Sequence, residues 1–204
     1  MIYVMGDIHG DIQRYNSIMT KINLKSEDKL YVLGDVIDGM PYGNHEYMML
    51  NAINNPHNSS LLHKWLQNEG ILTLENFLHQ DKVTQKKITE YISQMPTSIN
   101  LTICQKEYIL FHAAPPELFK KEQLTTTDYT HFVLWTRLKP NDKMPKDKTV
   151  IFRHTPTECY QNGIPLHIWY GEDKIGMDCG SSNSHKACKL ACLRLDDRVE
   201  FYSD

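Results

Sequence analysis

Apolar residues change their spacing repeatedly along the chain, and each change marks a new element. Met1 to Met5 is a short apolar run stopped by Gly6, as expected of a buried strand. From there Ile12, Tyr15, Ile18, Met19 and Ile22 recur at helical spacing, with Asp11 placed to cap the helix. Lys29 to Val36 is mostly apolar between polar loops and predicts the next strand. Strand, helix and strand in this order argue for a parallel pair joined by a crossover. Both strands end in Gly-Asp, which puts Asp7 and Asp35 at the C-terminal sheet edge, where open α/β sheets bind their ligands.

From about Glu46 to Met95 the pattern is helical, in three or four segments punctuated by Pro56, Gly70 and Pro96. This stretch predicts a helical cap beside the sheet. The remainder is β-rich. Ile99 to Cys104 and Tyr108 to Ala113 predict a hairpin around Gln105-Lys106-Glu107, and Thr149 to Phe152 predicts a strand. Leu166 to Tyr170 should pair with Ile175 to Cys179, and Leu190 to Leu195 with Val199 to Tyr202. Asp128 to Arg137 is expected to form a short helix between them. The whole of 1–204 reads as one domain with two sheets.

Composition narrows the class without naming it. The 204 residues (23.8 kDa) are 41% hydrophobic and 23% charged, ordinary for a folded domain able to bury a core. A net charge of -3 gives no electrostatic reason to expect nucleic acid as a partner. No run approaches the roughly 20 apolar residues of a membrane span, so no membrane partner is expected. No charged leader precedes an apolar run, which makes the cytoplasm the expected location. The five cysteines lack a disulfide or zinc spacing and are expected to be reduced and mostly buried. Only five residues are Arg, namely Arg14, Arg137, Arg153, Arg194 and Arg198.

The candidate chemistry sits where strands end. Asp7 and His9 flank one residue, so on an extended strand exit both side chains face the same way and could chelate one metal. Asp35 could bridge two ions, and Asn44 offers a neutral carbonyl oxygen. His112 and His154 each end an apolar strand. Mixed imidazole and oxygen donors suit Mn, Fe or Zn better than Ca or Mg. Two such ions about 3.5–4 Å apart would serve phosphoester hydrolysis. His57, His63, His79, His131, His167 and His185 are expected to be ordinary surface or edge residues.

The segments GDIHG (Gly6 to Gly10), GDVIDG (Gly34 to Gly39), GNHE (Gly43 to Glu46) and LWTR (Leu134 to Arg137), with the His112 and His154 strand ends, resemble the metallo-dependent phosphatases. The likeness is to the phosphoprotein phosphatase branch and its small bacterial members, and the tail IGMDCG…LACLRLDD is similar as well. The resemblance implies a four-layer αββα sandwich of the calcineurin-like type. It implies two divalent metals, Mn foremost and Fe or Zn otherwise, held by Asp7, His9, Asp35, Asn44, His112 and His154. It implies His45 as general acid oriented by Asp38, and Arg137, with Asn44, on the phosphate. The substrate it implies is a phosphoprotein (phosphoserine or phosphothreonine) or another small phosphoester. A symmetric dinucleoside tetraphosphate is the alternative, and a degenerate phosphatase that only binds is a third reading.

Three departures qualify the likeness. The family's second motif continues Asp-Arg-Gly, whereas Gly39 directly follows Asp38. Only Met40-Pro41-Tyr42 separate Gly39 from Gly43, although the family has a helix and a parallel strand there, and a parallel crossover needs a dozen or more residues. The gap reads as a true deletion or as a stretch left out of the sequence, and the intact flanking motifs favour the second. Finally, Arg153 stands where bacterial relatives have Gly. It could replace the missing phosphate clamp, but a solvent-facing Arg is the simpler expectation.

Overall fold

The computed structural model describes residues 1–35, 42–119, 126–162, 166–182 and 187–204. Two sheets stack face to face. The first has the order β2-β1-β8-β9, with β1 (Ile2–Met5) parallel to β2 (Lys29–Val32) and antiparallel to β8 (Ala191–Arg194), which pairs with β9 (Val199–Tyr202). The second has the order β3-β4-β5-β7-β6. Its members are β3 (Ser98–Ile103), β4 (Lys106–Phe111), β5 (Lys148–Phe152), β6 (Trp169–Tyr170) and β7 (Lys174–Gly176). Strands β4, β5 and β7 run parallel, and β3 and β6 pair antiparallel at the edges.

Side-chain alternation along the strands builds the layers. Val4, Leu110, Ile151, Ile175 and Leu193 point between the sheets and form one buried cluster. Their neighbours point outward. Tyr3 and Met5 pack on Ile18 and Ile22 of helix α1 (Ile12–Ile22). Ile109, Phe111, Val150 and Phe152 pack with Leu138 and with Phe132 of a helix, Thr126–Trp135, on the other side. Helix, sheet, sheet and helix make the expected four-layer α/β sandwich. As expected, the Asp11 carboxylate caps α1, accepting from the Gln13 and Arg14 N–H groups at 3.1 and 3.0 Å.

The cap is helical. It comprises α2 (Asn44–Asn54), α3 (Ser59–Trp65), α4 (Ile71–Leu78) and α5 (Lys82–Ser93), and the helix from Thr126 to Trp135 is then α6. Met48, Met49, Trp65, Phe77 and Ile92 form its own core. Asn68 and Glu69 leave helical geometry and kink the chain between α3 and α4.

Several boundaries differ from expectation for identifiable reasons. Strand β2 ends at Val32, not Val36, because Gly34 (φ 97°) and Asp35 (φ 38°) turn the chain away. The hairpin between β3 and β4 turns at Cys104-Gln105, both in the left-handed region. Val36 to Pro41 lie outside the described residues, so Asp38 and the short connection have no structural account. Among the described residues β2 has only β1 as a neighbour and is half-buried, so it forms the sheet edge. The cysteines are all free thiols, yet only Cys179 and Cys192 are buried; Cys104 and Cys159 are exposed in turns. No described helix is long and apolar enough to cross a membrane.

Candidate metal centre

Asp7 and His9 leave β1, and Asp35 leaves the β2 segment beside them. The His9 N–H donates to the Asp35 carbonyl at 2.9 Å, which ties the two exits together. The exit is not extended as expected, because His9 adopts φ 48° and is followed by Gly10 at φ 68°. Its ring nonetheless turns back, so that Nε2 lies 3.5 Å from Asp7 Oδ2 and 3.9 Å from Asp35 Oδ2. His9, Asp35 and His154 all hold left-handed backbone, a strain of order 1–3 kcal/mol each that clusters at functional sites.

The first turn of α2 brings in Asn44 and His45. Gly43 is its N-cap, and its N–H donates to Glu46 Oε2 at 2.9 Å. A Cβ at Gly43 would lie 2.5 Å from both Asp35 Oδ1 and Glu46 Oε2, so a larger residue would have to push these two carboxylates aside. The His45 N–H donates to Asp35 Oδ1 at 3.3 Å, and His45 Nε2 stands 3.9 Å from Asp35 Oδ2. The positive end of α2 therefore rests on Asp35.

His112 follows β4 and His154 follows β5. His112 is fully buried, with Nε2 at 2.7 Å from Asn44 Oδ1 and 3.2 Å from His154 Nδ1. Arg153 overturns the expectation of a solvent-facing side chain: it is 0% exposed. Its guanidinium contacts Asp7 Oδ2 and His112 Nδ1, and lies 2.8 Å from Asp35 Oδ2. Nε donates to the Leu33 carbonyl at 2.5 Å. Because Arg153 donates to Nδ1, the His112 ring carries its proton on Nε2 and gives it to Asn44. Arg137 is exposed at the rim, donating from Nη1 to the His154 carbonyl at 2.7 Å.

Charge follows this packing. Burial alone would raise the Asp35 carboxyl, but Arg153 holds it well below the usual carboxylate range. Burial, with Arg153 adding to it, pushes His112 well down and His154 down to about 4, so both rings are neutral. Burial also lowers His45. The Asp35 carboxylate opposes that shift and favours the charged ring that a general acid needs. Burial would lower His9, but Asp7 and Asp35 together outweigh it and raise the ring. Burial, then neighbouring Asp35, pushes the carboxyl of fully buried Glu46 well above the usual carboxylate range.

Asp178 gives a pH prediction. Burial, then the nearby Asp7, raises its carboxyl to about 7, while Oδ1 accepts from the Gly180 N–H at 3.0 Å. A folded-state pKa above the unfolded value of about 3.9 means stability that is full below that value and lost as pH rises through 7. Asn keeps the acceptor and cannot ionise. Asp178→Asn should therefore gain on the parent as pH rises from 4.5 to 8 in EDTA, its melting midpoint moving ahead by about 2–6 °C. A constant difference across that range in calorimetry would contradict the burial argument.

A divalent ion needs several donor atoms converging on one point. His9, Asp35 and His45 offer ligand atoms that all lie within 4.8 Å of one another. Asp7 Oδ1 is buried without a hydrogen-bond partner, an acceptor left free beside them. These residues fit one cation. The space among Asp7, Asp35 and His112 contains the Arg153 guanidinium, and Asn44, His112 and His154 bond to one another.

All six expected metal ligands, Asp7, His9, Asp35, Asn44, His112 and His154, therefore meet in one place, with His45 beside them and Arg137 at the rim. Of the histidines expected to be ordinary, His57, His63, His79, His131 and His167 are exposed, and His185 lies outside the described residues. Arg153 is the site residue that sequence reasoning placed in solvent, although it was weighed there as a substitute phosphate clamp. The signal was present: it stands two positions after inward-facing Ile151, one residue past the end of β5, where continued alternation directs it between the sheets.

An αββα sandwich with imidazole and carboxylate ligands gathered at its strand ends defines a metallophosphoesterase-type phosphoester hydrolase. The sequence profile of the calcineurin-like phosphoesterases matches residues 1–186, and the chain belongs to that family. Its members typically bind two divalent metals. A comparison with curated proteins found no match.

Proposed function

We propose that the protein is a phosphoprotein phosphatase-type enzyme that removes single phosphates from phosphoserine or phosphothreonine side chains. The observation that carries this reading is the cleft beside the centre. A cavity of about 500 Å³ runs from His9 and His45 to Glu69, Ile71, Leu72 and Asn76 of the cap. A second hollow of about 280 Å³ shares Gly10, Thr73 and Asn76 and continues to Phe77 of α4 and Ile88 of α5. No Lys or Arg is among the described residues lining either one, and Glu69 adds a carboxylate at the edge. Such a lining suits a peptide carrying one phosphate. A tetraphosphate would need several cations for its charges.

A divalent ion held by His9 and Asp35, with Asp7 in reach, would supply a water of lowered pKa and positive charge for the phosphoryl oxygens. His45, which lines the cleft, is the proposed proton donor to the leaving alkoxide, and Arg137 the contact to the phosphate. Asp38 remains its expected orienter, outside the described residues. Asp35 is the nearest described anion that favours a charged His45 ring.

Arg153 favours a second reading, a protein that binds phosphorylated ligands and turns them over poorly. A parallel assay with Mn²⁺ separates the three. A phosphothreonine peptide is expected to be hydrolysed with kcat/KM roughly tenfold or more above that of a symmetric dinucleoside tetraphosphate. Preference for the tetraphosphate would overturn the proposal, and peptide binding without hydrolysis would establish the binding role instead.

A further inference from the structure

We propose that Arg153 is a built-in cation that takes one of the two cation places of this centre, leaving one place for a divalent ion on the His9 and His45 side of Asp35. Four contacts fix the guanidinium: Asp7, Asp35, His112 and, through Nε, the Leu33 carbonyl. A loosely placed surface Arg would reach none of these at 0% exposure. Arg153 directly follows β5, and its N–H donates to the His112 carbonyl at 3.1 Å, which carries the strand alternation set by Ile151 one step further.

The ligands of the second place are already satisfied. Asn44 accepts from His112, His112 Nδ1 accepts from Arg153, and His154 Nδ1 meets His112 Nε2. A divalent ion entering among Asp7, Asp35 and His112 would have to break these bonds and sit against a guanidinium that never loses its charge. The two cations exclude each other. Asp35 Oδ2, the oxygen that Arg153 meets at 2.8 Å, also faces the His9 and His45 rings at 3.9 Å each. Asp35 then bridges a fixed guanidinium and one exchangeable ion. Gly43 completes the arrangement, since a Cβ there would come within 3.1 Å of Arg153 Nη2.

This inference rests on the metal-binding reading of the centre and is independent of turnover. Its test is metal stoichiometry on the full chain, by elemental analysis after equilibration with excess Mn²⁺ and by titration calorimetry. The parent should retain no more than one Mn²⁺ per chain. Arg153→Gly should retain one more, and its affinity for Mn²⁺ should rise roughly tenfold or more, the scale on which groups around a metal tune its binding. Arg153→Met, which keeps volume without charge, covers the case in which the glycine variant does not fold. Two ions in the parent would overturn the proposal without any variant. A folded Arg153 variant that binds no more than the parent would overturn it as well. An inactive parent holding one ion upholds the inference and defeats the phosphatase reading; an active parent holding two does the reverse.

Discussion

Replacing Asp35 with alanine is expected to destabilise the fold by about 3–5 kcal/mol and to abolish phosphoester hydrolysis. Asp35 is 3% exposed, meets the Arg153 guanidinium at 2.8 Å and accepts the His45 N–H at the start of α2. Its removal leaves a buried guanidinium with Asp7 as its remaining carboxylate and takes away the acceptor that seats α2. Breaking one side of a buried pair costs far more than removing both, because the orphaned charge stays out of water. The double variant Asp35→Ala, Arg153→Ala should therefore lose less than the sum of the two single losses. Urea unfolding in EDTA measures this directly. A single-variant loss below about 1 kcal/mol, or strict additivity in the cycle, would mean that Arg153 does not depend on Asp35.

The second large effect concerns chemistry more than stability. His45→Ala should lower kcat by about 10²–10⁴-fold, the range typical for loss of a positioned acid or base. The fold should survive, because the contact that His45 makes with Asp35 Oδ1 comes from its backbone N–H, which alanine retains. The ring also lines the cleft and does not belong to the packed core. Unchanged kcat with an intact melting profile would remove His45 from the reaction and return the role of proton donor to solvent.

Much of this was legible in the sequence because strand ends are marked twice. Apolar alternation fixes which residues face the other sheet, and Gly-Asp or a terminal histidine fixes where the strand stops. Asp7, Asp35, His112 and His154 were found in this way, and Leu110, Ile151 and Val4 show the same alternation in the core. Arg153 was misread because a charged residue after a strand was assigned to solvent by type, although its register with Ile151 pointed inward. The backbone at His9 could not be foreseen either. Its left-handed turn is imposed by the hydrogen bond to Asp35, a contact between segments far apart in sequence. Exposure of Cys104 and Cys159 has a similar origin, since their turns are set by β3-β4 pairing and by the turn at Thr157–Cys159. The cap was visible as helical periodicity, but the kink at Asn68 and Glu69 carries no comparable sequence mark.

The metal-ligand cluster at these strand ends should hydrolyse phosphoesters even though Arg153 lies within it. The most direct measurement is release of p-nitrophenol from p-nitrophenyl phosphate with Mn²⁺, with EDTA, and with His45→Ala under the same conditions. The expected rate requires Mn²⁺, disappears in EDTA and falls to near background in the variant. No Mn²⁺-dependent rate above that of His45→Ala would contradict it.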